Sequence, residues 1–256
     1  MHPAPARRNR DEGEKPFWIS YSDLMTALMV LFLVVMSVSL LIITRELLKR
    51  QESLEAVKVE MDALKERRET RAKAIQGVMI ALDEVVHKDF TGQIRIIHDR
   101  HAIDFGERAR FAHNDHHLSA DGGQLLRDFV PHLLAVVDTR EARLWFRRVV
   151  VEGFTDTDGS YLYNLNLSLK RAQSVVCALM EDGGPQAPGL TPDQKRRVID
   201  LFLVGGFSFN SARASKEESR RIELRLEFQG LEEESGWQEA ERSPFPLEKI
   251  GKCQLD

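Results

Sequence analysis

The sequence predicts a membrane-anchored α+β protein: a single N-terminal transmembrane helix, a helical linker of coiled-coil character, and a domain of β-α-β-α-β order. Three observations predict it. Leu24 to Ile43 is a run of twenty residues without a charge, and about 20 apolar residues is what a helix needs to cross roughly 30 Å of hydrocarbon. Residues 45–73 are dense in alternating charge and contain neither glycine nor proline. From residue 93 the pattern changes to short β-branched runs that alternate with longer helical ones.

Residues 1–16 (MHPAPARRNRDEGEKP) are rich in proline and mixed in charge, which reads as a short disordered tail on the cytoplasmic side. Arg7, Arg8, Arg10 and Lys15 favour that side, but Arg45, Lys49, Arg50 and Lys58 on the other flank nearly balance them. Orientation therefore has to come from the downstream domain. Residues 17–44 form the span. Its length and the lack of a small-residue cleavage site mark it as a retained anchor rather than a removed signal peptide.

One ionisable group interrupts the span: Asp23. Counted from Phe17 it lies about 9 Å below the helix mouth, where a carboxylate is costly unless a partner, water or a proton meets it. Two readings are open. In one, Ser20 or Ser22 caps the helix, Asp23 favours the helix dipole, and the true span starts at Leu24. In the other, the span starts at Phe17, with Trp18 and Tyr21 in the interfacial belt and Asp23 facing a protein partner. The second is favoured because Asp23, Thr26, Ala27, Val30, Val34 and Ser37 share one helix face of small, hydroxyl and β-branched residues suited to helix packing.

Residues 45–90 are the linker and dimerisation segment. Leu47, Leu54 and Met61 are seven apart, with Val57 and Leu64 at the d-type positions, which describes a coiled coil of about two to three heptads. A single solvated helix is the alternative, because Arg50 and Arg68 interrupt the register. Ile75, Val78, Met79, Leu82 and Val86 then make an apolar face that leads into the folded part. In residues 91–229, strands are expected at Gln93–Asp99, Ala102–Phe105, Leu144–Gly153, Val198–Gly205 and Arg221–Phe228, and helices at Leu118–Val137, started by Ser119, and Tyr161–Met180. Residues 182–192, rich in glycine and proline, read as a loop, and residues 230–256 as a C-terminal tail.

Composition narrows the function. A net charge of −4 with 30% charged residues gives no reason to expect nucleic acid. The sequence offers no nucleophile elbow, phosphate loop or paired catalytic carboxylates, so no enzymatic activity is expected. His113, Asp115, His116 and His117 crowd one loop, but without a cysteine or glutamate framework they read as solvated polar residues rather than a metal site. No cofactor is expected. Cys177 and Cys253, the two cysteines, are too few for a disulfide framework and can pair once if the domain lies outside the cytoplasm.

The stretch VEGFTDTDGSYLYNLNLSLKRAQSVVCALM, residues 151–180, carries the strongest signal. Thr155, Asp156, Gly159, Asn164, Leu167, Ser168, Arg171, Ala172, Val175 and Leu179 resemble the pattern of the peptidoglycan-binding domain of the OmpA family. Arg220 and Arg221 before Ile222 look like the family's second signature. The resemblance spans residues 93–228 and implies a ligand, diaminopimelate of the cell-wall stem peptide, that offers a carboxylate and an ammonium on one carbon. It implies that Arg171 takes the carboxylate and Asp156 the ammonium, a charge pattern that bidentate guanidinium chemistry suits. Thr155 belongs to the same motif. Asn164 ties the loop and Arg221 is a wall contact, or both are structural. Phe154 departs from the family, which usually has His or Tyr there, and so lacks a polar tip.

A span with an acid near one end, a helical linker and an OmpA-like domain resemble the MotB family of ion-driven stators, and ISYSDLMTALMVLFLVVMS within it is similar to the membrane-anchored subunits of Zorya anti-phage defence systems. That resemblance implies an inner-membrane protein with a periplasmic domain, Asp23 as the ion-carrying residue, and a homodimer inside a pentameric ring of multi-span MotA-like A-type subunits. Peptidoglycan is the fixed anchor, and cytosolic defence effectors are reached indirectly. The transported ion is a proton; sodium is the alternative, with Ser22 and Thr26 as oxygen-bearing neighbours on the ion path. A flagellar-type stator and a passive wall tether are the competing functions.

Overall fold

The structure is a computed structural model that describes residues 17–182 and 188–231 together with Gly251 and Cys253. The expected tail 1–16, part of the expected loop and most of the expected C-terminal tail lie outside the described residues. The chain divides into two compact units, residues 1–63 and 64–256. Within the first, the described residues belong to one element, the N-terminal part of helix α1 (Phe17–Asp89). It contains the one candidate membrane span among the described residues, and every described side chain from Tyr21 to Ala63 is exposed. Span and linker are thus one uninterrupted helix, as the absence of glycine and proline between them allows.

In the second unit the last turns of α1 place Ile75, Val78, Met79 and Leu82 in the core. The residues read as leading into the domain are part of it. After α1 come strands β1 (Arg95–Ile97) and β2 (Ala102–Asp104), then α2 (Ala120–Val137), the short α3 (Arg140–Arg143), β3 (Phe146–Gly153), α4 (Tyr161–Met180), α5 (Pro192–Leu201), β4 (Phe202–Gly206), the short α6 (Lys216–Ser219) and β5 (Ile222–Phe228). The five strands form one sheet in the order β1-β2-β5-β3-β4; β3 and β4 are parallel, and the other neighbours antiparallel.

One element differs from expectation. The segment read as a strand over Val198–Gly205 is helix as far as Leu201 and strand from Phe202. The decisive residues precede it. The Thr191 hydroxyl accepts from Gln194 N, the Gln194 side-chain oxygen accepts from Thr191 N, and Pro192 opens the helix, so the sequence TPDQ is a capping box. Its Val198 and Leu201 are buried one turn apart on a face that an apolar run alone does not distinguish from a strand. Ser119 caps α2 as expected, accepting from Gly122 N.

The two faces of the sheet have different chemistry. Ile103, Val149, Val151, Ile222, Leu224 and Leu226 join the apolar cluster that holds Phe129, Leu133, Val175 and Leu179 of α2 and α4. On the intervening positions, Asp104, Glu223 and Glu152 stand in one row across β2, β5 and β3, all buried. Their charge is met by Arg95 and Arg213 on Asp104, by Arg100, Arg213 and Arg221 on Glu223, and by Arg225 on Glu152. Burial pushes the Asp104 carboxyl up, but its bonds to Arg213 and Arg95 outweigh that and hold it below the usual range. For Glu152 burial prevails and the carboxyl is raised.

Cys177 and Cys253 form a disulfide that ties the chain near its C-terminal end to α4. Helix α4 also lies directly on the ends of β3 and β4: a Cβ on Gly153 would stand 1.9 Å from Ser168 O, and one on Gly206 2.8 Å from Leu169 N. Only glycine permits that approach. Replacing Gly153 by Ala should cost about 3 kcal/mol or more, lowering the thermal midpoint of the domain by about 6–12 °C. A calorimetric midpoint within a degree of wild type would show that the helix moves away without cost.

Candidate functional site

The close packing of α4 on β3 brings four loops to one end of the sheet. Residues 154–160 connect β3 to α4. Residues 110–117 lead into α2. Ser208 belongs to the turn after β4, and Arg220 stands between α6 and β5. In the first loop, Gly159 adopts φ +93, a conformation that L side chains rarely take. Ser160 caps α4 by accepting from Tyr163 N. Asn164 donates to Asp158 O at 2.7 Å and Ser160 O at 3.2 Å, so its amide ties the loop into shape.

Asp156 is the acid of this loop. It is 5% exposed; one carboxylate oxygen accepts from Asp158 N at 3.2 Å and the other from Arg220 Nη1 at 3.0 Å. His113 Nδ1 lies 3.7 Å from the latter oxygen. Burial pushes this carboxyl up, but the Arg220 bond, the Asp158 N–H and the guanidinium charge together hold it below the usual carboxylate range. Thr155 N donates to Ser208 O, while its hydroxyl oxygen is buried without a hydrogen-bond partner.

Arg171 reaches the same place from α4. It is 0% exposed. Nε donates to Asp115 O at 2.8 Å, Nη1 to Phe154 O at 2.8 Å and Nη2 to Ala112 O at 3.2 Å, and the guanidinium stands 5.0 Å from the Phe111 ring centroid. Burial lowers its pKa to about 10, so it remains charged at neutral pH. Arg171 thus clamps two site loops by their carbonyls and brings a positive charge behind Asp156. Arg221 turns away: it pairs with Glu223 at 2.7 Å and lies 4.2 Å from the Phe154 ring. Phe154 stacks on that guanidinium, a contact that needs a ring and no polar tip.

Arg220 occupies the position between the acid and the loops. It donates to Phe111 O at 3.1 Å, Asp156 at 3.0 Å and Glu217 at 3.2 Å. The sequence reading names Arg221 as the wall contact and gives Arg220 no role; the structure brings Arg220, and not Arg221, to Asp156. The separating signal is the alternation of β5 continued back by one residue, which sets Arg221 on the face of Glu223 and Arg220 on the other. Two trios of possible metal ligands lie close, Asp115 with His116 and His117, and His113 with Asp156 and Asp158. In the second, each carboxylate already holds a cation, Arg220 on Asp156 and Lys216 on Asp158.

Residues 110–205 match the OmpA family, and residues 5–42 match the membrane MotB of the proton-channel complex MotA/MotB. The Zorya protein ZorB of Escherichia coli is 42% identical over 250 residues, 97% of this chain and 95% of that protein. The chain belongs to the ZorB family. Solved structures of similar fold include a MotB-like protein from Desulfovibrio vulgaris, 16% identical, with a TM-score of 0.41 over 62% of this chain and 96% of that one. The periplasmic domain of Helicobacter pylori MotB is 14% identical, with a TM-score of 0.35 over 51% and 78%. As a ZorB-family member with one apolar helix among its described residues, the chain is a single-pass inner-membrane protein with an OmpA-like domain.

The depressed Asp156 carboxyl makes a pH statement. Its contribution to stability is complete above its unfolded value near 4 and is lost as pH falls through the lower folded value. At pH 7, Asp156→Asn should destabilise the domain by about 1–3 kcal/mol. The gap from wild type should narrow in urea unfolding as pH falls below the unfolded value near 4. An unchanged gap would contradict the assigned ionisation.

Proposed function

We propose that this ZorB-family chain is the peptidoglycan-anchored B-type subunit of a proton-driven inner-membrane motor complex that acts as the sensing and motor part of an anti-phage defence system. The observation that carries the reading is Asp23: one acid near the start of a helix otherwise apolar enough to span the membrane, inside the segment that matches membrane MotB. A carboxylate in that position is retained where it does work. It accepts a proton from one side and releases it to the other, and each proton moved across about 100 mV supplies on the order of 2.3 kcal/mol. The partner that completes the ion path is a ring of five multi-span MotA-like subunits around two copies of this chain. Cytosolic defence effectors respond to the motor indirectly.

The domain is the fixed end. Asp156 receives the ammonium of a diaminopimelate-containing stem peptide in exchange for part of its bond to Arg220. Arg220, so released, and the charge of Arg171 behind the loop receive the carboxylate. Thr155 offers its unpaired hydroxyl, and Asn164 holds the loop in the receiving shape. The Cys177–Cys253 disulfide supports a periplasmic domain and a cytoplasmic N-terminus, because such bonds persist in oxidising compartments.

The test is phage plating on cells that carry this chain with its genomic neighbours. Wild type should protect, while Asp23→Asn and Asp156→Ala should each reduce protection about tenfold or more, as loss of a functional charge does, at unchanged protein levels. Full protection by Asp23→Asn would contradict ion-driven function. Full protection by Asp156→Ala would contradict the wall grip.

A further inference from the structure

The loop whose carbonyls hold the Arg171 guanidinium also bears three neighbouring ligand-type side chains, Asp115, His116 and His117. In sequence such a run means little, because consecutive side chains in a loop ordinarily splay apart into water. The fold turns these three together. One ligand atom from each, a carboxylate oxygen or a ring nitrogen, lies within 4.8 Å of the other two. His117 Nδ1 stands 2.8 Å from Asp115 Oδ1, and the two imidazole rings lie 4.3 Å apart between centroids, tilted by 31°.

The backbone beneath them is held from outside the cluster. Arg171 Nε donates to Asp115 O at 2.8 Å, and Asp115 N donates to Ala112 O at 3.2 Å. Asn114, in the left-handed region at φ +58, accepts from the Tyr163 hydroxyl of α4. Two residues of α4 therefore fix the loop before any ion arrives, and a preorganised ligand set loses little entropy on binding. The side chains stay within reach of solvent, with 40% of Asp115 and 66% of His117 exposed.

We propose that Asp115, His116 and His117 bind a divalent first-row transition-metal ion such as zinc. Two imidazoles and a carboxylate suit zinc, whereas calcium and magnesium take oxygen ligands. Ligands roughly 2.0–2.2 Å from a tetrahedral ion stand about 3.3–3.5 Å from one another. The Asp115–His117 contact then opens by about half an ångström, and the wider separations close by no more than about 1.5 Å, within the swing of exposed side chains. The trio of His113, Asp156 and Asp158 is less suited, because Arg220 and Lys216 hold its carboxylates. For Asp115 the ion-pair partner is His117, itself one of the ligands, so an ion replaces that contact without displacing an arginine or lysine. Water takes the fourth position. Cys177 and Cys253 offer no competing thiolate, since their sulfurs are joined. The site rests on neither ion flux nor wall binding.

The test is calorimetric titration of the tag-free, detergent-solubilised full-length chain with Zn2+ at neutral pH. One ion per chain is expected. His116→Ala, His117→Ala and Asp115→Asn, the last of which keeps an acceptor for the His117 N–H, should each raise Kd about tenfold or more. His113→Ala should leave Kd within about twofold. Zn2+ at about 100 times Kd should raise the thermal midpoint of wild type by about 5–10 °C, and that of His117→Ala by far less at the same concentration. Absence of saturable binding, or equal Kd values for wild type and the three ligand variants, would overturn the proposal. So would a loss caused by His113→Ala instead, or Ca2+ binding as tight as that of Zn2+.

Discussion

A charged guanidinium with no exposed surface governs the shape of the domain's functional end. Arg171 is held by three backbone carbonyls from two loops, and a buried charge is tolerable only where such bonds replace the water it has lost. The loops are therefore not free to choose their conformation independently of α4. Glycine at positions 153 and 206 lets α4 approach closely enough for Arg171 to reach the end of β3. Two small residues thus set the position of a large charged one, and that one sets the frame around Asp156.

The same device recurs on the far face of the sheet. Three buried carboxylates in a row would repel one another strongly, yet five arginines converge on them. Such networks contribute rigidity more reliably than stability, since desolvation offsets much of the attraction. Asp156, by contrast, is paired at the mouth of the site with a slightly exposed arginine, an arrangement that can exchange one cation for another. The fully buried pairs lie within the sheet, and the pair with the more exposed arginine lies at its end.

Much of this was legible in the sequence because its determinants are local. The span is a composition, the α2 and α4 caps are single serines, and the loop from Thr155 to Asn164 is a short motif whose order survives folding. The capping box at Thr191 was equally local, but the apolar run after it matched a strand as well as a helix, and its correct reading required attention to Pro192 and Gln194. What could not be read locally was direction. Arg220 and Arg221 are adjacent, and only the register of β5 against β2 and β3 decides that Arg221 joins Glu223 while Arg220 meets Asp156. Nor does the sequence alone reveal that Arg171 is covered, because its three acceptors lie 17 to 59 residues away.

The wall grip through Asp156 is the claim on which the anchored function rests, and calorimetric titration of the detergent-solubilised full-length chain with a diaminopimelate-containing stem tripeptide tests it most directly. Saturable binding is expected for wild type, about tenfold weaker or worse for Asp156→Asn, with little binding to a tripeptide whose second amine is acetylated. Equal binding by wild type and variant, or indifference to acetylation, would contradict it.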